Sequence, residues 1–295
     1  HVACHTHSGV AYRILRKIPG RFPPSPTYTL AMASPMRYLL GQGEYLQTII
    51  RVIGQSSNVM EIPLNDGKGK VLVAATGKGG AGKTTSVACL AAYWQLSGKN
   101  VALFDLDANQ TLTRWHGKGD VLSQMTLRSE TNEHAVIPII SELAAEHDIT
   151  LVDCAGFNNQ SMIFAVGCAD LVLIPVMADE ANVFEAGRMC KIVESTAFLT
   201  KREIDARTLL CRVKRAVVAT HARAELHELG ARPLKCQLND RVLFQEATFF
   251  GSAPTVLEPK SAAARDIEGL AREVESILWE TSHETMVVQP GLDAL

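Results

Sequence analysis

The sequence predicts an α/β fold, a doubly wound and mostly parallel sheet with helices on both faces. Three observations carry this expectation. Short apolar runs alternate with longer helical patterns from residue 70 to residue 280. The apolar runs are rich in Val, Ile and Leu and do not alternate with polar residues, as strands buried on both faces do not. The first of them, Val71-Leu72-Val73-Ala74-Ala75, passes through a glycine-rich loop into the helical run Val87-Ala88-Cys89-Leu90-Ala91-Ala92. That strand–loop–helix unit is the one from which parallel sheets are wound.

Residues 1–69 stand apart from this pattern. They hold Pro19, Pro23, Pro24, Pro26, Pro35 and Pro63 and few apolar residues at a regular period. They read as an N-terminal extension, largely disordered or loosely packed. The chain opens on His1, and Met36 and Met60 are candidate starts, which leaves open whether the residues before them are native. Cys4, His5 and His7 are metal-ligand types without a matching partner downstream, and they read as part of the same extension. Within it, Leu39, Leu46, Ile49, Ile50 and Ile53 recur at near-helical spacing, weakened by Gly41 and Gly43.

From residue 70 the elements follow in order. Strands are expected at 70–75, 101–105, 126–127, 149–153, 171–176, 208–213 and 234–238, all but the Thr126-Leu127 pair being apolar runs bounded by polar or turn residues. Helices are expected between them, at 84–96, 135–146, 161–166 and 184–199. A last helix at 262–280 puts Ile267, Leu270, Val274, Ile277 and Leu278 on one stripe. Residues 70–280 thus form one domain, and 281–295 a tail. In such a sheet, ligands bind at the carboxyl ends of the strands.

Composition narrows the classes of function. The 295 residues are 47% hydrophobic and 20% charged, with a net charge of −2, so bulk basicity gives no sign of nucleic acid. DNA contact would need a local patch. The seven cysteines are scattered without a C-x-x-C, and Cys89, Cys154, Cys168 and Cys211 sit in apolar runs, as reduced core thiols of a cytoplasmic protein do. No apolar run approaches the ~20 residues of a transmembrane helix.

The chemistry is concentrated at three strand ends. Gly77-Lys78-Gly79-Gly80-Ala81-Gly82-Lys83-Thr84-Thr85 matches the P-loop pattern G-x-x-x-x-G-K-[ST]. Its glycines let backbone N–H groups converge on phosphate oxygens, and the helix N-terminus adds positive charge. Lys83 would meet the outer phosphates of a bound nucleotide, and the Thr84 hydroxyl would ligate Mg²⁺. Lys78 is a second lysine that phosphate binding by the loop does not itself require. The strand Ile149-Thr150-Leu151-Val152 ends in Asp153, the expected Walker B acid, beside the metal. The strand Val101-Ala102-Leu103-Phe104 ends in Asp105-Leu106-Asp107. If the strand continued, both acids would share a face, one supporting Mg²⁺ and the other orienting the attacking water.

These residues together resemble the ParA/MinD family of deviant Walker A ATPases, and most closely the small ParA and VirC-type proteins. Lys78 matches the family's signature lysine. Asp105-Leu106-Asp107-Ala108-Asn109-Gln110 is similar to its D-x-D-P-Q box, displaced by one residue after Asp107. Leu171-Val172-Leu173-Ile174-Pro175-Val176, Leu210-Cys211-Arg212-Val213 and Asn239-Asp240-Arg241-Val242-Leu243-Phe244-Gln245-Glu246-Ala247 resemble its later strands and base-side loop.

The resemblance implies an ATP hydrolase that dimerises on ATP, with Lys78 reaching the partner copy's phosphates and Asp107 orienting the water. Asp105 and Asp153 would lie near Mg²⁺, and Asn239, Asp240 and Arg241 near the adenine. It further implies non-specific DNA binding, with Lys214, Arg215, Arg223, Lys260 and Arg265 as candidate contacts. A ParB-like centromere-binding partner would stimulate turnover during partition of plasmid, chromosome or mobile-element DNA on the nucleoid. One alternative recruits a relaxase or conjugative DNA-transfer complex, or positions another cargo. A more distant alternative is an electron-transfer ATPase like the nitrogenase iron protein, with Cys154 and Cys168 as candidate cluster ligands. A small-molecule kinase is a further enzyme class. Membrane positioning of the MinD kind would need a basic amphipathic tail, and residues 281–295 hold no Lys or Arg.

Overall fold

A computed structural model describes residues 69–156 and 160–279. The expectations placed on residues 1–68 and 280–295 lie outside the described residues.

Seven strands form one sheet: β1 (Lys70–Ala74), β2 (Val101–Asp105), β3 (Thr126–Ser129), β4 (Ile149–Asp153), β5 (Leu171–Met177), β6 (Asp205–Val213) and β7 (Pro233–Asn239). Their order is β3-β2-β4-β1-β5-β6-β7, and every pairing is parallel. The helices are α1 (Lys83–Leu96), α2 (Thr111–His116), α3 (Val136–Glu146), α4 (Gln160–Cys168), α5 (Glu180–Thr200), α6 (Ala216–Glu228), α7 (Val242–Phe250), α8 (Pro254–Leu257) and α9 (Ala262–Trp279).

Side-chain alternation sorts the strands onto two buried faces. Leu72, Ala74, Leu103, Leu151, Leu173 and Cys211 join one core cluster with Val87, Leu90 and Trp94 of α1 and with Ile267, Leu270 and Val274 of α9. Helices α3, α4, α5 and α6 pack one against the next as the opposite layer. Because both faces are covered, β2 and β4 are buried at every position. This is why their sequences lack polar alternation.

The chain leaves β1 toward β2 on one side and later crosses from β4 to β5 on the other. The crevice at that reversal lies beyond the carboxyl ends of β1 and β4, where Ala74 pairs with Asp153 and Asp105 pairs with Asp153.

Local chemistry explains where the elements differ from expectation. Helix α5 starts at Glu180, four residues before the apolar pattern, because the Asp179 side chain accepts the Asn182 N–H at 3.0 Å and caps it. Helix α6 has a weak apolar stripe, with Ala219, Ala222 and Leu226 buried and Val217 exposed, so periodicity does not mark it. The end of α1 is locked to α9. Trp94 is fully buried, donates its indole N–H to Glu275 at 2.8 Å, and meets Trp279 edge-on at 6.2 Å.

Candidate functional site

The loop between β1 and α1 turns on two left-handed glycines, Gly80 at φ 76° and Gly82 at φ 110°. Gly82 is required twice over. Its φ is strained for any L side chain, and a Cβ there would lie 3.2 Å from the Cys211 sulfur. Helix α1 begins directly after it with no side-chain cap and no acid in its first turn. Its leading N–H groups and dipole are therefore left for a ligand. Lys83 is buried, and its Nζ lies 3.4 Å from the Lys78 carbonyl oxygen, so it curls back over the loop. Lys78 is partly exposed and, among the described residues, its amine makes no hydrogen bond or ion pair.

Below the loop, the Thr84 hydroxyl donates to Asp153 Oδ2 at 2.6 Å. Asp153 is 1% exposed, and its Oδ1 has no hydrogen-bond partner among the described residues. Burial pushes its pKa up from 3.8 to about 7; the Thr84 hydrogen bond and Lys83 oppose this, and Asp105 and Asp107 add to it. A buried carboxylate with one oxygen unpartnered, next to a threonine hydroxyl, is a donor set suited to a hard divalent cation.

Asp105 is engaged by the turn that follows its own strand. It is fully buried, its Oδ2 accepts the Thr113 N–H at 2.9 Å and the Thr113 hydroxyl at 2.8 Å, and its Oδ1 accepts the Asp107 N–H at 3.1 Å. Both oxygens thus hold the turn that leads into α2. Strand β2 ends at Asp105, so the shared face with Asp107 does not form. Asp107 lies one turn further out, partly exposed, and accepts the Asn109 N–H at 2.9 Å.

The end of β7 brings the segment Asn239–Arg241 to the loop. A cavity of about 80 Å³ has Gly82 and Thr85 on one wall and Asn239, Asp240 and Arg241 on the other. It adjoins an open groove of about 850 Å³ lined by Arg212, Lys214, Arg215 and Asp179. Arg212, Asp240 and Gln245 line both. Arg212 holds φ 53° where the β6–β7 register shifts, so an irregularity in β6 turns this arginine into the crevice.

Sequence reasoning missed Arg212, Thr113 and Asp266. Asp266 in α9 accepts from Asn239 Nδ2 at 3.0 Å and Arg241 Nε at 2.8 Å. No local spacing marks it, since its partners lie 25 residues or more away in the chain.

Two other groups are placed by the structure. Arg223 donates to the carbonyls of Leu234 and Lys235 and to Gln237 Oε1, tying α6 to β7, which removes it as a free surface cation. Lys214 pairs with Asp240 at 3.4 Å, and Arg265 donates to the Lys260 carbonyl at 2.7 Å. Cys154 and Cys168 are buried, and burial pushes both thiols above their ordinary range.

A family model described as VirC1 protein matches residues 70–251. Protein ParA of Rhizobium radiobacter is 26% identical over 217 residues, covering 71% of this chain and 98% of that protein. Protein virC1 of Rhizobium rhizogenes is 31% identical over 172 residues, covering 56% of this chain and 74% of that protein. Among solved structures, an ATP complex of a McdA variant from Cyanothece has a TM-score of 0.60 at 20% identity, covering 75% of this chain and 99% of that one. This last likeness concerns the fold.

Proposed function

The chain belongs to the VirC1 family of ParA/MinD-type ATPases, and from that premise we propose a nucleotide-switched ATPase that binds ATP with Mg²⁺, dimerises on it and moves DNA. One observation carries the reading: Thr84 and Asp153 meet at 2.6 Å directly under the glycine loop, with Asp153 Oδ1 left over. The loop 77–85 would cradle the phosphates through its N–H groups, with Lys83 on the outer ones. Thr84 and Asp153 would hold Mg²⁺. When bound, Mg²⁺ would offset charge on the β- and γ-phosphate oxygens. Asp107 would orient the attacking water. Asp105 would act one step back, fixing Asp107 and Thr113. Lys78, with no partner of its own among the described residues, would neutralise phosphate charge on a second copy.

The dimer would bind DNA through phosphate contacts, weakening with salt. Lys214, Arg215, Lys260 and Arg265 are the remaining candidates, and a ParB-like partner would trigger hydrolysis. The likeness to virC1 proteins favours one rival cargo, in which the same switch recruits a conjugative DNA-transfer complex. No helix among the described residues is long and apolar enough to cross a membrane, and the proposed setting is the nucleoid.

The test is Lys78→Ala. ATP binding should be retained while dimerisation or hydrolysis is lost. Unchanged turnover and an unchanged dimer would remove Lys78 from the mechanism.

A further inference from the structure

One helix holds the base-side segment from the edge of the sheet. Along α9, Asp266, Gly269 and Glu273 fall at i, i+3 and i+7, a spacing that puts them on one face. That face lies along edge strand β7. Glu273 accepts the N–H of Lys235 at 2.7 Å and that of Cys236 at 2.8 Å. Gly269 allows the close approach, since a Cβ there would lie 3.3 Å from the Cys236 sulfur. Asp266 accepts the N–H of the last strand residue, Asn239, at 3.2 Å. Carboxylates thus satisfy N–H groups that a further strand would otherwise take.

Asp266 does more than Glu273. Its Oδ2 also accepts from Asn239 Nδ2 at 3.0 Å and Arg241 Nε at 2.8 Å, and its Oδ1 accepts from Arg241 Nη2 at 3.3 Å. Its side chain is only 13% exposed, so these charge-assisted bonds are weakly screened. Asn239 Oδ1 is taken by Gln237 at 3.0 Å. Asn239 and Arg241 therefore act as struts. Asp240 stands between them, its N–H bonded to the Val213 carbonyl at 3.0 Å and its side chain lining both cavities.

We propose that Asp266 is a positioning residue for nucleotide binding. By pinning Asn239 and Arg241 it fixes Asp240 on the wall of the cavity beyond the phosphate loop. It thereby sets affinity for the base while touching no part of the nucleotide. This rests on the nucleotide reading above. A residue that only stabilised the fold would weaken every ligand alike. Asp266 should instead act on the base and spare the phosphates.

The experiment titrates the full chain with ATP and with inorganic tripolyphosphate, which lacks base and ribose. The proteins are wild type, Asp266→Asn, Asp266→Ala and, as an edge-strand control, Glu273→Gln. Asp266→Asn should raise the ATP Kd about tenfold and leave that of tripolyphosphate within about twofold. Glu273→Gln should lower Tm and leave the ratio of the two Kd values unchanged. Asp266→Asn keeps the size of the side chain, so the comparison survives a failure of Asp266→Ala to fold. Equal weakening of both ligands, or an unchanged ratio in Asp266→Asn, overturns the proposal. A wild-type chain that binds neither ligand overturns the nucleotide reading beneath it.

Discussion

Asp153 shows how one residue can be destabilising and useful at once. In the metal-free protein its pKa rises from 3.8 to about 7 because the carboxylate is buried. Between those values the folded chain keeps a proton that the unfolded chain has released. The contribution of Asp153 to wild-type stability should therefore fall as pH rises from about 4 to about 7 and level off above, by the linkage of protonation to folding. Asp153→Asn has no such group, so its Tm should gain on that of the wild type across the window. A Tm difference that is flat with pH would contradict the burial argument. Thr84→Ala removes the neighbouring hydroxyl and keeps the carboxylate. Its ATP affinity measured with Mg²⁺ should drop at least about tenfold, while affinity in chelator changes little. Equal losses with and without Mg²⁺ would place Thr84 outside the metal shell. Lys83, Thr84 and Asp153 stand in local strings that the sequence alone displays, and the structure brings Thr84 and Asp153 together at 2.6 Å. The hydrogen bonds from Thr113 to Asp105 were not legible, because Thr113 lies eight positions on and its hydroxyl looks like any other in sequence.

Among the elements, α2 and α7 form a contact that links the two ends of the candidate site. Helix α2 follows the Asp105–Asp107 turn, and α7 lines the cavity between the glycine loop and Asn239–Arg241 through Phe244, Gln245 and Thr248. They meet at Gly251, which ends α7 at φ 62°. A Cβ there would collide with the Trp115 carbonyl oxygen and come within 2.8 Å of Lys118 Cβ. The Lys118 amine donates to the Thr248 carbonyl at the same junction. Gly251→Ala should cost about 1–3 kcal/mol from backbone strain alone, read as a lower denaturation midpoint, and more if the junction cannot shift. A change below about 0.5 kcal/mol, the range of neutral surface substitutions, would mean that the junction is loose. Strands β1, β2, β4 and β5 were legible because burial on both faces leaves unbroken apolar runs, whereas edge strand β3 is exposed and marked by none. Helices α2 and α7 were not, being short and held by tertiary contacts. The start of α5 was displaced because its cap is a single aspartate ahead of the apolar pattern.

On the scale of the whole molecule, the loop, the two acidic strand ends and the segment Asn239–Arg241 converge because every pairing is parallel, which puts the carboxyl ends of β1, β2, β4 and β7 on one side. Sequence order alone does not state that adjacency. It is set by the strand order, in which β4 lies between β1 and β2 and so brings both acids beside the loop. The switch reading requires that this surface be completed by a second copy, since Lys78 has no partner among the described residues. The most direct measurement is solution mass in ATP and in ADP, taken together with ATPase rate with and without DNA and a centromere-binding partner. The account predicts a dimer in ATP, a monomer in ADP, and turnover that rises when DNA and partner are both present. A monomer in ATP whose turnover ignores DNA would contradict it.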